Sequence, residues 1–175
     1  MPPDSSPLLP EEPLLPPIAQ PPERVFVARP ADDAAPREPL TLRVAGSKYY
    51  TLRYLLIALL AEGESLVRGP AQSDDTAVLV RALRALGARA TWEPDGAGWA
   101  LRVVGTGGQL SAPPGGRLDM GNAGAVLRLL LGLGTLLPEV HFETDHPDSL
   151  GRRPNRDLLT ALESLGIQTE SRAAE

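Results

Sequence analysis

Hydrophobic positions change their spacing several times along this chain, and each change predicts an element. Leu40, Leu42 and Val44 alternate with Thr41 and Arg43, the period of a half-buried strand, and Gly46 punctuates its end. Over 51–61 the leucines at 52, 55, 56, 59 and 60 fall on one helical face, with Glu62-Gly63 as the stop. Residues 65–67 read as a short strand. Ser73 is a good N-cap, Asp74 and Asp75 suit the positive end of a helix dipole, and Val78, Leu79, Ala82, Leu83 and Leu86 recur at helical spacing up to Gly87. Two strands, 90–92 and 99–104, then flank an Asp95-Gly96 turn. The predicted order is β-α-β-α-β-β.

The pattern occurs twice. Leu79-x-x-Ala82-Leu83-x-x-Leu86-Gly87 recurs as Leu158-x-x-Ala161-Leu162-x-x-Leu165-Gly166, and Gly46 with Arg53-x-Leu55-Leu56 recurs as Gly121 with Arg128-x-Leu130-Leu131. The offsets, 79 and 75 residues, exceed solenoid periods and mark duplication of a whole supersecondary unit. Unit one covers 40–105 and unit two 106–175. The second is expected to be incomplete, because too few residues follow Leu165 for a closing strand pair.

Residues 1–39 differ in kind. They hold 12 of the 19 prolines, including Pro-Leu-Leu-Pro-Glu-Glu-Pro-Leu-Leu-Pro-Pro from Pro7 to Pro17, and read as a disordered Pro-rich tail able to dock an SH3-like groove. With no basic n-region and no uninterrupted apolar run, this is not a signal peptide. The tail also carries seven acidic and three basic side chains, so the remainder is nearly charge-balanced within a net charge of -5. That sign, with only 4% aromatic residues, argues against nucleic acid, and no membrane partner is expected. The size suits one compact domain or two small ones. The chain has no cysteine, which excludes disulfides, thiolate metal sites and cysteine nucleophiles.

Lys48 is the single lysine beside 16 arginines, a compact and tunable charge where guanidinium is neither. It stands in Gly46-Ser47-Lys48-Tyr49-Tyr50-Thr51-Leu52-Arg53, a strand-to-helix turn whose amides and cations suit a phosphate or carboxylate. Gly121-Asn122-Ala123-Gly124-Ala125 opens another helix, where glycine permits close approach of a ligand, and Arg152-Arg153-Pro154 precedes a third. Taken singly, each is better read as a cap or a solvated face. Gly105-Thr106-Gly107-Gly108 lacks the Lys-Ser/Thr of a P-loop and reads as a hairpin turn. His141 and His146 do not have helical metal-ligand spacing, so no metal is expected.

Taken in order, Gly-Ser-Lys with Arg at 46–53, Leu-Ala-Glu-Gly at 60–63, Ser-Asp-Asp at 73–75, Leu-x-x-Leu-Gly-Ala at 83–88, Gly-Asn-Ala-Gly with Arg at 121–128 and Asp-Ser-Leu-Gly-Arg-Arg-Pro at 148–154 resemble the N-terminal part of the EPSP synthase family of enolpyruvyl transferases. The resemblance implies an α/β (α+β) fold of repeated β-α-β-α-β-β units, with about two of six in this stretch. It implies transfer of the enolpyruvyl group of phosphoenolpyruvate to shikimate 3-phosphate, releasing phosphate, in the shikimate pathway of aromatic amino-acid and chorismate biosynthesis, in the cytoplasm and without a cofactor.

By the same resemblance, Lys48 is the catalytic lysine on phosphoenolpyruvate, Gly124 lies against that substrate with Asn122 beside it, Arg153 grips it, and Arg53 binds shikimate 3-phosphate. Tyr49 replaces a small hydroxyl residue on the shikimate phosphate, a bulkier group whose phenol can still donate. Leu52 and Ala125 also depart from the family pattern. The family's acid/base carboxylates lie outside the matching stretch, so catalysis is expected to need a C-terminal domain or complementing chain as partner. Two alternatives stand beside this reading: UDP-N-acetylglucosamine 1-carboxyvinyltransferase, disfavoured by the absence of cysteine, and a non-catalytic degenerate binding module with an interaction tail.

Overall fold

The computed structural model describes residues 14–16 and 44–172. Helix α1 (Lys48–Leu60), strand β1 (Glu64–Arg68), helix α2 (Asp74–Ala85), strand β2 (Arg89–Asp95) and strand β3 (Gly98–Val104) make the first unit. Strand β4 (Arg117–Asp119), helix α3 (Gly124–Gly134), strand β5 (His141–Glu143) and helix α4 (Arg156–Ser164) make the second. No helix among the described residues is long and apolar enough to cross a membrane.

In the first unit β2 and β3 form an antiparallel hairpin, with Ala90 opposite Val103 and Asp95 opposite Gly98, and β1 pairs antiparallel to the far side of β3. The second unit pairs β4 and β5 in parallel, Leu118 opposite Phe142, with α3 as the crossover that a parallel pair requires. The expected strand at 40–44 falls mainly outside the described residues. Of it only Val44 is described, and it is exposed.

The duplicated motif encodes the same helix ending twice. Gly87 (φ +103°) follows α2, with Ala88 N–H donating to the Leu83 carbonyl at 3.0 Å and Gly87 N–H to Arg84 at 3.2 Å. After α4, Gly166 (φ +87°) donates to Glu163 at 2.9 Å, and Ile167 N–H donates to Leu162 at 3.2 Å. Both pairs close the last turn by reaching back to otherwise unpaired carbonyls, and both need a glycine in the left-handed region. The leucines of the motif fare differently. Leu79, Leu83 and Leu86 are buried in the core, whereas α4 has no fully buried residue and Leu165 is 77% exposed.

One hydrophobic cluster joins the two units. Leu52, Leu55 and Leu59 from α1 and the α2 leucines meet Leu101 and Val103 of β3, then Leu118, Met120, Val126 and Leu130 of the second unit. At one edge of this core two buried threonines clamp Ala71 in the β1–α2 connection. Thr51 Oγ1 accepts from Ala71 N–H at 2.9 Å, and Thr76 Oγ1 donates to the Ala71 carbonyl at 2.7 Å. The first turns of α1 and α2 are thereby fixed to each other. Thr76→Val keeps the shape but leaves that carbonyl unpaired in the interior, so we expect a loss of about 1–2 kcal/mol by urea unfolding.

Two expectations need correction. Helix α1 begins at Lys48, one turn earlier than the leucine pattern places it, because residues 48–50 carry no apolar face and Ser47 offers no side-chain cap. Residues 105–108 are not a hairpin turn, since β3 ends at Val104 and the next strand pairs elsewhere. They close the C-terminal end of α1 instead. Thr106 N–H and Oγ1 both donate to the Leu59 carbonyl, at 2.7 and 2.9 Å, and Gly107 N–H donates to Ala61 at 3.0 Å.

Candidate functional site

The N-terminal ends of α1, α2 and α3 gather the sequence-predicted cations. Lys48, the first residue of α1, extends Nζ to Asp75 Oδ2 at 2.8 Å. Asp75 lies in the first turn of α2, where the dipole favours its charge, and its side chain is only 17% exposed against 42% for Lys48. The hydrogen bond that Lys48 donates to Asp75, followed by the charge of that carboxylate, raises the Lys48 pKa above the ordinary lysine value; the positive charge of Arg153 opposes this. Lys48 is therefore an ammonium throughout the neutral range. Its Nζ also stands 5.9 Å from the Tyr49 ring centroid, and Tyr49 itself is exposed.

Gly124 opens α3, whose N-cap residue Ala123 gives no side-chain hydrogen bond. The guanidinium of Arg153 lies across this glycine: a Cβ added at Gly124 would sit 2.6 Å from Arg153 Nη1 and 3.4 Å from Leu150 Cδ1. Among the described residues no side chain pairs with the Arg153 guanidinium. Asn122, exposed two residues earlier, accepts the Gly124 N–H on its backbone carbonyl at 3.2 Å.

The duplication reaches into this cluster. Arg53 and Arg128, equivalent by the repeat, each donate to the carbonyl four residues back, Arg53 to Tyr49 at 2.9 Å and Arg128 to Gly124 at 3.4 Å. Arg128 also donates to the Pro154 carbonyl at 3.3 Å, tying the start of α3 to the loop that carries Arg153. Tyr49 in unit one thus stands where Gly124 stands in unit two.

Lys48 and Arg153 are brought close enough to interact, Tyr49 and Gly124 flank them, and Arg53 folds back onto the turn that holds Tyr49. Sequence reasoning missed Asp75 as the partner of Lys48; the Ser-Asp-Asp motif marked it only as a helix-start residue. A solvent-open recess of about 270 Å³, lined by Ser47, Tyr50, Tyr54, Val67 and Arg68 among others, lies on the other flank of α1 and holds none of the predicted site residues. Among the described residues no group of three or more His, Cys, Asp or Glu is placed to hold a metal. His141 and His146 each turn to a neighbouring carboxylate, Glu139 at 3.1 Å and Asp145 at 2.6 Å.

Comparison with known proteins sets this geometry among relatives. The family model for EPSP synthase (3-phosphoshikimate 1-carboxyvinyltransferase) matches residues 39–175. The 3-phosphoshikimate 1-carboxyvinyltransferase of Deinococcus radiodurans is 48% identical over 130 residues, 74% of this chain and 28% of that protein. The enzyme of the same name from Methanosphaerula palustris is 41% identical over 130 residues, 74% of this chain and 30% of that protein. Among solved structures, EPSP synthase from Acinetobacter baumannii superposes with a TM-score of 0.61 at 27% identity, covering 77% of this chain and 30% of that one. The chain spans less than a third of the length of these relatives.

Proposed function

The chain belongs to the EPSP synthase family, and from that premise we propose that it supplies one wall of a 3-phosphoshikimate 1-carboxyvinyltransferase site, acting on phosphoenolpyruvate and shikimate 3-phosphate in the cytoplasm. The observation that carries this reading is the convergence of Lys48 and Arg153 at the start of α3, where the Arg153 guanidinium lies across Gly124. Phosphoenolpyruvate brings a carboxylate and a phosphate, and fixed cations with unpaired helix amides stabilise both.

In the proposed reaction the 5-hydroxyl of shikimate 3-phosphate loses its proton as its oxygen bonds to C2 of phosphoenolpyruvate, while C3 gains a proton, giving a tetrahedral intermediate. That intermediate then loses phosphate from C2 and a proton from C3, which restores the double bond as the enol ether. Lys48 and Arg153 hold the phosphoenolpyruvate end, with Gly124 and Asn122 allowing its close approach. Arg53 and Tyr49 face the shikimate phosphate. The proton-moving carboxylates are assigned to the part of the family's fold that lies outside the matched stretch. Relatives named for the shikimate reaction support this reading over UDP-N-acetylglucosamine transfer.

Phosphate release from the two substrates tests it, measured with the chain alone and with the remaining span of a related EPSP synthase added. Activity only on addition is expected; silence in both conditions would move the assignment to a non-catalytic binding module. Tyr49→Ser should tighten shikimate 3-phosphate binding about three- to tenfold, the effect of roughly 1 kcal/mol, by replacing a bulky exposed ring with a hydroxyl at the same turn. Weaker binding in calorimetry would mean that the phenol is itself a ligand.

A further inference from the structure

Residues 14–16, Leu-Leu-Pro, lie against a part of the chain far away in sequence. The Trp92 indole Nε1–H donates to the Leu14 carbonyl at 2.9 Å across 78 residues. Leu14 packs on the hydrophobic cluster, and Pro16 is buried. Trp92 stands on β2, the outer strand of the order β1-β3-β2, two positions from buried Ala90 and therefore on the same face.

Leu14 and Leu15 form a bend rather than an extended polyproline segment. A Pro-rich segment is short of amide donors for its own carbonyls, and tryptophan offers a broad apolar surface with one N–H donor. The tetrapeptide that includes these residues, Pro-Leu-Leu-Pro at 13–16, occurs a second time at 7–10, and Glu11-Glu12 separates the two copies. A sequence-based reading assigns the tail an external SH3-like groove; the contact here is with the chain itself.

We propose that the Trp92 surface is a docking site for Pro-Leu-Leu-Pro, filled in cis by the second copy through its described residues 14–16, and that 7–10 is a second occupant which takes the position when that copy leaves it. Identity of the four residues makes the exchange chemically degenerate: the Leu8 carbonyl replaces that of Leu14, and Pro10 replaces Pro16. The registers differ by six residues of chain between the docking site and Lys48. One surface admits one copy at a time, so the two compete.

The absence of cysteine makes the test direct, because Leu15→Cys or Leu9→Cys carries a single bimane label whose fluorescence tryptophan quenches on contact. The label at 15 should be quenched, and either Trp92→Phe or Leu14→Asp should relieve the quenching severalfold. Circular dichroism checks that each variant folds; Leu14→Asp alters the docked segment and leaves the sheet intact. The label at 9 should be weakly quenched in the parent and at least twofold more quenched once Leu14→Asp empties the site. Quenching at 15 that survives both variants would overturn the docking site. No gain at 9, or a gain that scales with chain concentration and so reports a second copy, would overturn exchange in cis.

Discussion

Lys48→Ala should weaken phosphoenolpyruvate binding by about 10- to 150-fold in the complemented enzyme, the equivalent of one charge-assisted hydrogen bond at about 1.5–3 kcal/mol. Thermal stability should change little. The Lys48–Asp75 pair is more than a third exposed on its lysine side, where solvent screening holds such pairs to about 0–1 kcal/mol, and Asp75 keeps the favourable field of the α2 N-terminus after its partner is gone. The pH dependence follows from the raised Lys48 pKa. A group protonated more readily in the folded state contributes stability fully below its ordinary value and loses it as pH rises through the raised one. Across the neutral range, about pH 6–9, the ratio of parent to Lys48→Ala affinity should therefore stay constant. Calorimetry at several pH values measures both; an affinity equal to the parent would remove Lys48 from the site, and a ratio that falls toward pH 9 would mean that the Lys48 pKa is lowered below the ordinary lysine value, against the direction set by Asp75.

What was legible in the sequence divides along chain distance. Ser73 as the cap of α2 is confirmed by its Oγ accepting from Thr76 N–H at 3.3 Å, and the β2–β3 hairpin turns where Asp95-Gly96 predicts. These are local signals, each settled within a few residues. The duplication was legible for a related reason: identical glycine-closed helix ends need the same residues at the same offsets. The Lys48–Asp75 pair spans 27 residues and the clamp on Ala71 spans 20 from Thr51, so no local pattern announces them. Thr51 and Thr76 read as ordinary helix residues until the packing of α1 on α2 buries them. The Leu14 contact with Trp92 was hidden by composition, because a Pro-rich stretch is read as tail before its individual side chains are weighed.

Gly46 shows the same limit and yields a large stability effect. The sequence reading gives this glycine to a turn that a ligand approaches, yet the close neighbour is the chain's own backbone. A Cβ at Gly46 would overlap the Gly69 carbonyl oxygen and lie 3.0 Å from Ala71 N and 3.2 Å from the Pro70 carbonyl carbon. Those atoms cannot rotate away, and Ala71 is held at both its N–H and its carbonyl by Thr51 and Thr76. Gly46→Ala must therefore push apart the 44–47 stretch and the β1–α2 connection, the two segments that place Lys48 against Asp75. We expect a loss of about 3 kcal/mol or more by urea unfolding, the upper end for overpacking, together with a loss of phosphoenolpyruvate binding as large as that of Lys48→Ala. Gly63→Ala is the control, since Gly63 has φ +80° and nothing within 4 Å of an added Cβ. Its cost is the left-handed backbone alone, about 1–2 kcal/mol, with binding unaffected. Equal losses at the two positions would mean that the 44–47 stretch yields freely, and that the placement of Lys48 does not depend on the backbone contact at Gly46.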